Sequence, residues 1–261
     1  MRARLKHIAA TTVRLALRHG MFTSRGTRWS LTGHETPVLM CLWNRPERIG
    51  AVLEQLDRQD HPDGVRLYLW NNRRSDHGRY LQAIDAFRPA GSLHAVDIAK
   101  SPFNLGSIAR FYWARRLQRR GRDAPVIVLD DDEQIPDDFV SIALAAYRPD
   151  EVAAFWAFRV LGDYFDRAPV APGEEADHVG PGGMVCSLRL FSDLRFFTKI
   201  PARYWMLDDI WFTHFARHSG RRLVKLPVEL EFVLEETNQH WGQSGEKIEF
   251  YRELQRASPL D

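Results

Sequence analysis

Four consecutive acids, Asp130, Asp131, Asp132 and Glu133, follow the apolar run VIVL at residues 126–129. Like charges held this close repel, and burying an unpaired carboxylate is costly, so a partner for them is expected. Carboxylates one residue apart suit a hard divalent cation, Mn²⁺ or Mg²⁺, whose charge cancels their repulsion. Such a cation can bridge a diphosphate and offset the charge that builds on it as a leaving group. Taken alone, the acids also fit an ordinary turn in which Glu133, Asp137 and Asp138 favour the dipole of a following helix. A second pair, Asp208 and Asp209, heads the helix-like segment LDDIWFTHFARHSG. A carboxylate there can take a proton from an incoming hydroxyl. His240, in NQHWGQ, becomes a metal-ligand candidate if the tail folds back over the cation.

These residues need elements to hold them. PVLMCLW (37–43) is a continuous apolar run, as a strand buried on both faces should be. Asn44 can cap the next helix, RPERIGAVLEQLDRQD, which has Pro46 in its first turn. VRLYLW (65–70) reads as a second strand, YLQAIDAF as a helix and SLHAVDIA (92–99) as a third strand. SIARFYWARRLQRRG (107–121) is a helix closed by Gly121, and APVIVL enters the acids as a fourth strand. Strands and helices alternating on short links predict an α/β fold with a parallel, doubly wound sheet. Ligands bind beyond the carboxyl ends of such strands. Those ends carry Trp43, Asn44 and Arg45, then Asn71 and Asn72, then Asn104 and Gly106, then the aspartates. Past residue 150 the pattern loosens. EVAAFWAFRVL, MVCSLRLF and RRLVKLPVEL are strand candidates, and APVAPGEEADHVGPGG is a Pro/Gly-rich loop long enough to carry function.

The 261 residues, 44% of them hydrophobic, suffice for one sizeable core. The two cysteines, Cys41 and Cys186, lie in apolar runs and are expected as buried free thiols of a reducing compartment, here the cytoplasm. No apolar run approaches the roughly 18 residues of a membrane span. A net charge of +2 conceals an asymmetry. Residues 1–30 carry Arg2, Arg4, Lys6, Arg14, Arg18, Arg25 and Arg28 and no acid, which leaves 29 basic against 34 acidic residues in the rest. Residues 1–20 read as an amphipathic helix with Arg4, His7, Arg14 and Arg18 on one face. Residues 2–20 thus suit peripheral contact with an anionic membrane, or packing on the body with the basic stripe in solvent. Arginines interrupt every candidate apolar core, so a signal peptide is not expected.

The order of these features resembles the GT-A glycosyltransferases, most closely the family 2 type, over roughly residues 36–240. FNLGSIARF is similar to the family's Asn-x-Gly-x-x-x-Ala-Arg segment at Asn104, Gly106, Ala109 and Arg110, with two residues in place of three between the glycine and the alanine. VLDDDEQIP is similar to its Asp-x-Asp segment, GPGGM to its acceptor loop at Gly182 and Gly183, and LDD to its x-Glu-Asp. The resemblance implies a GT-A fold over residues 34–235, after a basic extension (1–33) and before a tail (236–261) carrying His240. It implies transfer of one sugar from a nucleotide-diphosphate sugar, a UDP-sugar first, to a hydroxyl acceptor, with inversion. The acceptor would be a glycan or lipid-linked glycan, with nucleic acid as a further option on charge alone. Donor binding would fall to Trp43, Asn44, Arg45, Asn71, Asn72, Asp76, Asn104, Gly106, Arg110, Asp130 and Asp131. Asp130, Asp132 and His240 would hold Mn²⁺ or Mg²⁺, and Asp209 would be the base with Asp208 as its rival. Gly182, Gly183 and Trp205 would lie on the acceptor side. On alternation along the chain, Asp131 should point away from the metal and Glu133 should begin the next turn.

Some positions depart from the family's pattern. Asn71 and Asn72 stand where an aspartate usually reads uracil, and Arg73 and Arg74 replace Gly-Ser in that turn. No Gln-x-x-Arg-Trp motif follows, so single transfers are expected rather than processive polymerisation. Two other readings compete. In a haloacid-dehalogenase-like phosphatase Asp130 would be the nucleophile, but Glu133 follows Asp132 where that family has Thr or Val, and three strand–helix units go unexplained. A non-catalytic glycan-binding domain of the same fold would be expected to lose one of the carboxylates, and all are present.

Overall fold

The computed structural model describes residues 11–121, 124–233 and 244–256. An eight-stranded sheet runs through the body in the order β1-β4-β3-β2-β5-β11-β7-β12. Its strands are β1 (Arg25–Arg28), β2 (Thr36–Leu42), β3 (Val65–Asn71), β4 (Leu93–Lys100), β5 (Pro125–Leu129), β7 (Glu151–Ala154), β11 (Met184–Ser187) and β12 (Arg222–Lys225). β4, β3, β2 and β5 pair in parallel, β12 joins β7 in parallel, and β11 runs antiparallel between β5 and β7. Two small sheets complete the strands. β6 (Glu133–Gln134) pairs with β13 (Glu231–Phe232), and β8 (Ala157–Val160) lies between β9 (Arg167–Pro169) and β10 (His178–Val179).

Alternation along each apolar strand explains why both faces are covered. Val38, Met40 and Leu42 of β2 pack into one cluster with α2 (Ile49–Asp57), α3 (His77–Ala86) and α5 (Phe139–Ala146). Leu39 faces the other cluster, with α4 (Phe111–Arg119), α6 (Arg195–Thr198) and α7 (Asp208–His218). After the edge strand β1 the chain enters the sheet at β2, steps outward through β3 and β4, then returns to β5 on the opposite side of β2. That reversal opens a crevice at the carboxyl ends of β2 and β5, the place where open α/β sheets bind ligands.

Several elements differ from the sequence expectation. β1 lies in the basic extension, where the sequence pattern predicts no strand; as an edge strand it pairs on one side only, with β4. The run 151–161 divides, because the chain leaves the main sheet after Ala154 and β8 starts a second sheet. The Pro/Gly-rich loop contains β9 and β10. Asn44 does not cap a helix. It takes φ 60°, Arg45 precedes a 3₁₀ turn (Pro46–Arg48), and α2 begins at Ile49.

Residues 11–18 form a helix, α1, that packs on the body with Leu17 buried. Arg14 lies over the Trp205 ring at 4.4 Å, so this part of the basic stripe faces protein aromatics. Residues 2–10 lie outside the described residues. Both cysteines are free thiols, pushed up to about 12 by burial. Among the described residues no helix is long and apolar enough to cross a membrane.

Candidate active site

A cleft of about 380 Å³ occupies the crevice beyond β2 and β5. The register pairs Met40 of β2 with Leu129 of β5, so Asp130 leaves the sheet level with the end of β2. The acids find their partners in two arginines. Arg110 donates from Nη1 to Asp130 Oδ1 at 2.5 Å and to the Leu129 carbonyl at 3.2 Å, and its Nε is 3.4 Å from Asp208 Oδ2. Arg45 Nη1 lies 2.9 Å from Asp131 Oδ1 and 3.0 Å from Asp132 Oδ2. Buried carboxylates are tolerable only when paired in this way. Burial still pushes Asp131 up to about 7 against the pull of Arg45, with Asp132 and Asp130 adding to the rise.

Arg110 owes its place to the turn before it. Gly106 has φ 74°, and a Cβ there would stand 2.4 Å from the Trp205 carbonyl oxygen, so only glycine fits. Asn72 clamps the same turn from β3, accepting from Leu105 N at 3.1 Å and donating to the Gly106 carbonyl at 2.9 Å. Asn104 Oδ1 accepts from Gly106 N at 2.9 Å. A 3₁₀ turn, Ser107–Arg110, then carries the guanidinium into the cleft.

α7 supplies the second acid pair. Asp208 is buried: Ser107 Oγ donates to Oδ1 at 2.6 Å, while Oδ2 accepts no hydrogen bond among the described residues and faces Arg110 at 3.4 Å. Burial pushes Asp208 up to about 6 against Arg110 and Ser107, and Asp209 and Asp130 reinforce the rise. Asp209 takes Tyr164 Oη at 2.7 Å and Lys247 Nζ at 2.8 Å, both on Oδ2. Burial would raise it, but the Lys247 ammonium, then His178, and the two hydrogen bonds hold it well below the usual carboxylate range. Lys247 reaches it from α8 (Ser244–Arg256).

Of the residues singled out in the sequence, Trp43, Arg45, Asn72, Asn104, Gly106, Arg110, Asp130, Asp131, Asp132, Gly182, Asp208 and Asp209 line this cleft. Asn44, Asn71, Asp76, Gly183 and Trp205 do not. Asn71 is wholly buried and turned into its own loop, accepting from Arg73 N at 2.8 Å, and Asp76 pairs with Arg73 at 3.3 Å. Gly183 packs on Leu230 and Phe155. Glu133 does not begin an exposed turn. It is fully buried in β6, its Oε2 accepts from Asp130 N at 2.8 Å, and burial and Asp130 raise it well above its ordinary value. Gly182 approaches so closely that a Cβ would meet Glu133 Oε1 at 2.1 Å. His240 lies outside the described residues, and among those described no three His, Cys, Asp or Glu side chains gather as a metal cage. Sequence reasoning missed Ser107, Tyr164, Arg167, His178 and Lys247. Only Ser107 sits beside a recognisable motif.

As a sequence the chain matches no family profile and no curated protein. As a structure it is similar to solved glycosyltransferases. TarS 1-349 from S. aureus in complex with UDP matches with TM-score 0.52 at 18% identity, over 74% of this chain and 57% of that one. A mannosyltransferase, PcManGT from Pyrobaculum calidifontis in complex with GDP-Man and Mn²⁺, matches with TM-score 0.56 at 12% identity, over 97% of this chain and 76% of that one. GalNAc-T7 with UDP, GalNAc and Mn²⁺ gives 0.54 at 12% identity, over 85% and 48%. The chain therefore spans little more than half the length of TarS 1-349. Its fold is the GT-A fold of the glycosyltransferases.

Proposed function

We propose that the protein is a metal-dependent, inverting glycosyltransferase moving one sugar from a nucleotide-diphosphate sugar, a UDP-sugar first, to a hydroxyl acceptor. The observation that carries this reading is one cleft at the topological switch point, where Arg110 spans the acids of β5 and those of α7. The donor set fits Mn²⁺ or Mg²⁺. Asp130 and Asp132 are hard oxygen ligands left partly exposed in the cleft, at 37% and 25%. Cations of this kind are commonly held by one or two carboxylates plus substrate phosphates. His240 stands as the candidate further ligand on its chemistry alone. When bound, the cation would supply positive charge against the departing diphosphate.

The chain's own residues supply the rest. Arg110 and Arg45 bring fixed guanidinium charge to the donor end. Asp209 takes the proton of the acceptor hydroxyl as its oxygen bonds to the anomeric carbon, while the bond from that carbon to the diphosphate oxygen breaks. Attack opposite the leaving group inverts the centre. Asp208 has the more basic carboxylate, but it is the more deeply buried of the two, with Oδ1 held by Ser107 and Oδ2 facing the Arg110 guanidinium. Asp209 has both contacts on Oδ2, so Oδ1 has no partner among the described residues. Reach decides before basicity, which favours Asp209.

A thermal-shift series with UDP, GDP and Mn²⁺ tests the reading. At a hundredfold excess over Kd the preferred nucleotide adds about 2.7 kcal/mol, or about 5–10 °C in Tm. Asp132→Ala should remove the Mn²⁺-dependent part. Asp209→Asn should keep the nucleotide shift but lose about 10³ in transfer, and Asp208→Asn should lose less. Phosphate-ester hydrolysis lost in Asp130→Asn, without nucleotide binding, would sink the proposal in favour of a phosphatase.

A further inference from the structure

The two halves of the cleft carry opposite charge. At the donor end Arg45 and Arg110 face four carboxylates, Asp130, Asp131, Asp132 and Asp208. At the other end Lys247 and Arg167 face one, Asp209. His178, beside them, is neutral at pH 7, because burial pushes it down to about 4. Three of the four cations have acid partners: Arg45 on Asp131, Arg110 on Asp130 and Lys247 on Asp209. Arg167 pairs with no acid among the described residues.

Arg167 is nonetheless held in place. Its Nε donates to the Tyr164 carbonyl at 2.5 Å, and its guanidinium lies 4.0 Å from the Tyr164 ring centroid and 5.0 Å from that of Phe158. Stacking and the Nε hydrogen bond fix the head group while its terminal nitrogens donate to no described residue. Around it stands an aromatic wall. Trp156 and Phe158 lie 5.8 Å apart, and Phe165 is half exposed. Aromatic faces with a few convergent polar groups are the usual lining of a small-molecule subsite.

The geometry points to an anionic saccharide as the acceptor, its charged group paired with Arg167 and its ring against the wall of Trp156, Phe158 and Phe165. This inference rests on the transferase reading of the cleft. A neutral acceptor would leave Arg167 without a counter-charge in a partly desolvated site, where an ion pair gains more than it does in water.

Binding of phenyl β-D-glucuronide and phenyl β-D-glucoside, measured by calorimetry on the full chain with UDP and Mn²⁺ present, tests this. The two probes share a ring and an aglycone and differ in one carboxylate. The glucuronide should bind about fivefold more tightly, the size of one partly exposed ion pair, and Arg167→Gln should cut that preference below about twofold. The glucoside's own affinity should be unchanged in Arg167→Gln, and Arg167→Lys should restore part of the preference. Equal binding of the probes overturns the proposal. So does a preference that survives Arg167→Gln, or binding of neither probe while UDP still raises Tm. If neither UDP nor GDP raises Tm, the transferase reading has failed, and the acceptor assignment falls with it.

Discussion

Glu133 sits where a charge is hardest to keep. It is fully buried, Oε2 accepts the Asp130 amide, and Oε1 lies against Gly182 with no hydrogen-bond partner among the described residues. Burial first, then the Asp130 and Asp132 charges, raise its pKa in the folded protein above the unfolded value. An acid raised in this way contributes stability that is fully present below its unfolded pKa and is lost as pH rises through the folded one. Glutamine keeps the shape and the acceptor oxygen without the charge. Glu133→Gln should therefore match the natural protein near pH 4 and exceed it increasingly toward pH 8, by about 1 kcal/mol or more, or about 2–4 °C in Tm. Melts in metal-free buffer across that range check this, and a pH-independent difference would mean that Glu133 is ionised in the folded state. The aspartates were legible in the sequence because acids directly after a buried strand demand an explanation. The depth of Glu133 was not, because β13 and Gly182, which cover it, come from about 100 and 50 residues further along the chain.

The turn at residues 104–106 shows how an element can be predicted while the roles within it shift. Its motif placed Gly106 and Arg110 in the cleft, and both are there. Asn72, expected to meet the nucleotide, spends both ends of its amide on that turn. The sequence puts an amide at that position, but only the fold shows a donor needed toward the Gly106 carbonyl and an acceptor toward Leu105 N. Aspartate, the residue usual to the family nearby, has no donor to offer. Asn72→Asp should set a carboxylate oxygen against a carbonyl oxygen, cost about 1–3 kcal/mol and loosen Arg110. Chemical denaturation measures the first effect, and a weaker nucleotide-induced rise in Tm measures the second. If Asn72→Asp binds nucleotide more tightly with unchanged stability, the side chain reads the base after all. The acceptor end was less legible than this turn. β8, β9 and β10 are two to four residues each, too short for a periodic pattern, and they bring Arg167 and His178 together only by pairing.

At the scale of the molecule, the basic N-terminus could be an appendage or a structural member. Charge alone favoured an appendage, since every titratable group in residues 1–30 other than His7 and His19 is cationic or terminal. Packing favours a member. Phe22 inserts between Trp70 of β3 and Trp113 of α4, with ring centroids 4.9 and 4.8 Å away. Arg116 closes over Phe22, and its Nε donates to the Gly20 carbonyl at 2.9 Å. Leu17 is buried beside them, and β1 extends the sheet along β4. Removing Phe22 would open a void between two of the largest buried side chains, and aromatic-to-alanine changes at such sites cost about 3–5 kcal/mol. Phe22→Ala should then lower Tm by roughly 6–20 °C. Deletion of residues 1–23 should lower it further, since it also takes away Leu17 and the Arg116 contacts. Nucleotide binding should survive in whatever fraction remains folded, because none of the described residues of this segment lines the cleft. A deletion variant that melts within about 2 °C of the full chain, less than the shift expected from 1 kcal/mol, would show that the segment is detachable and leave membrane contact as its role.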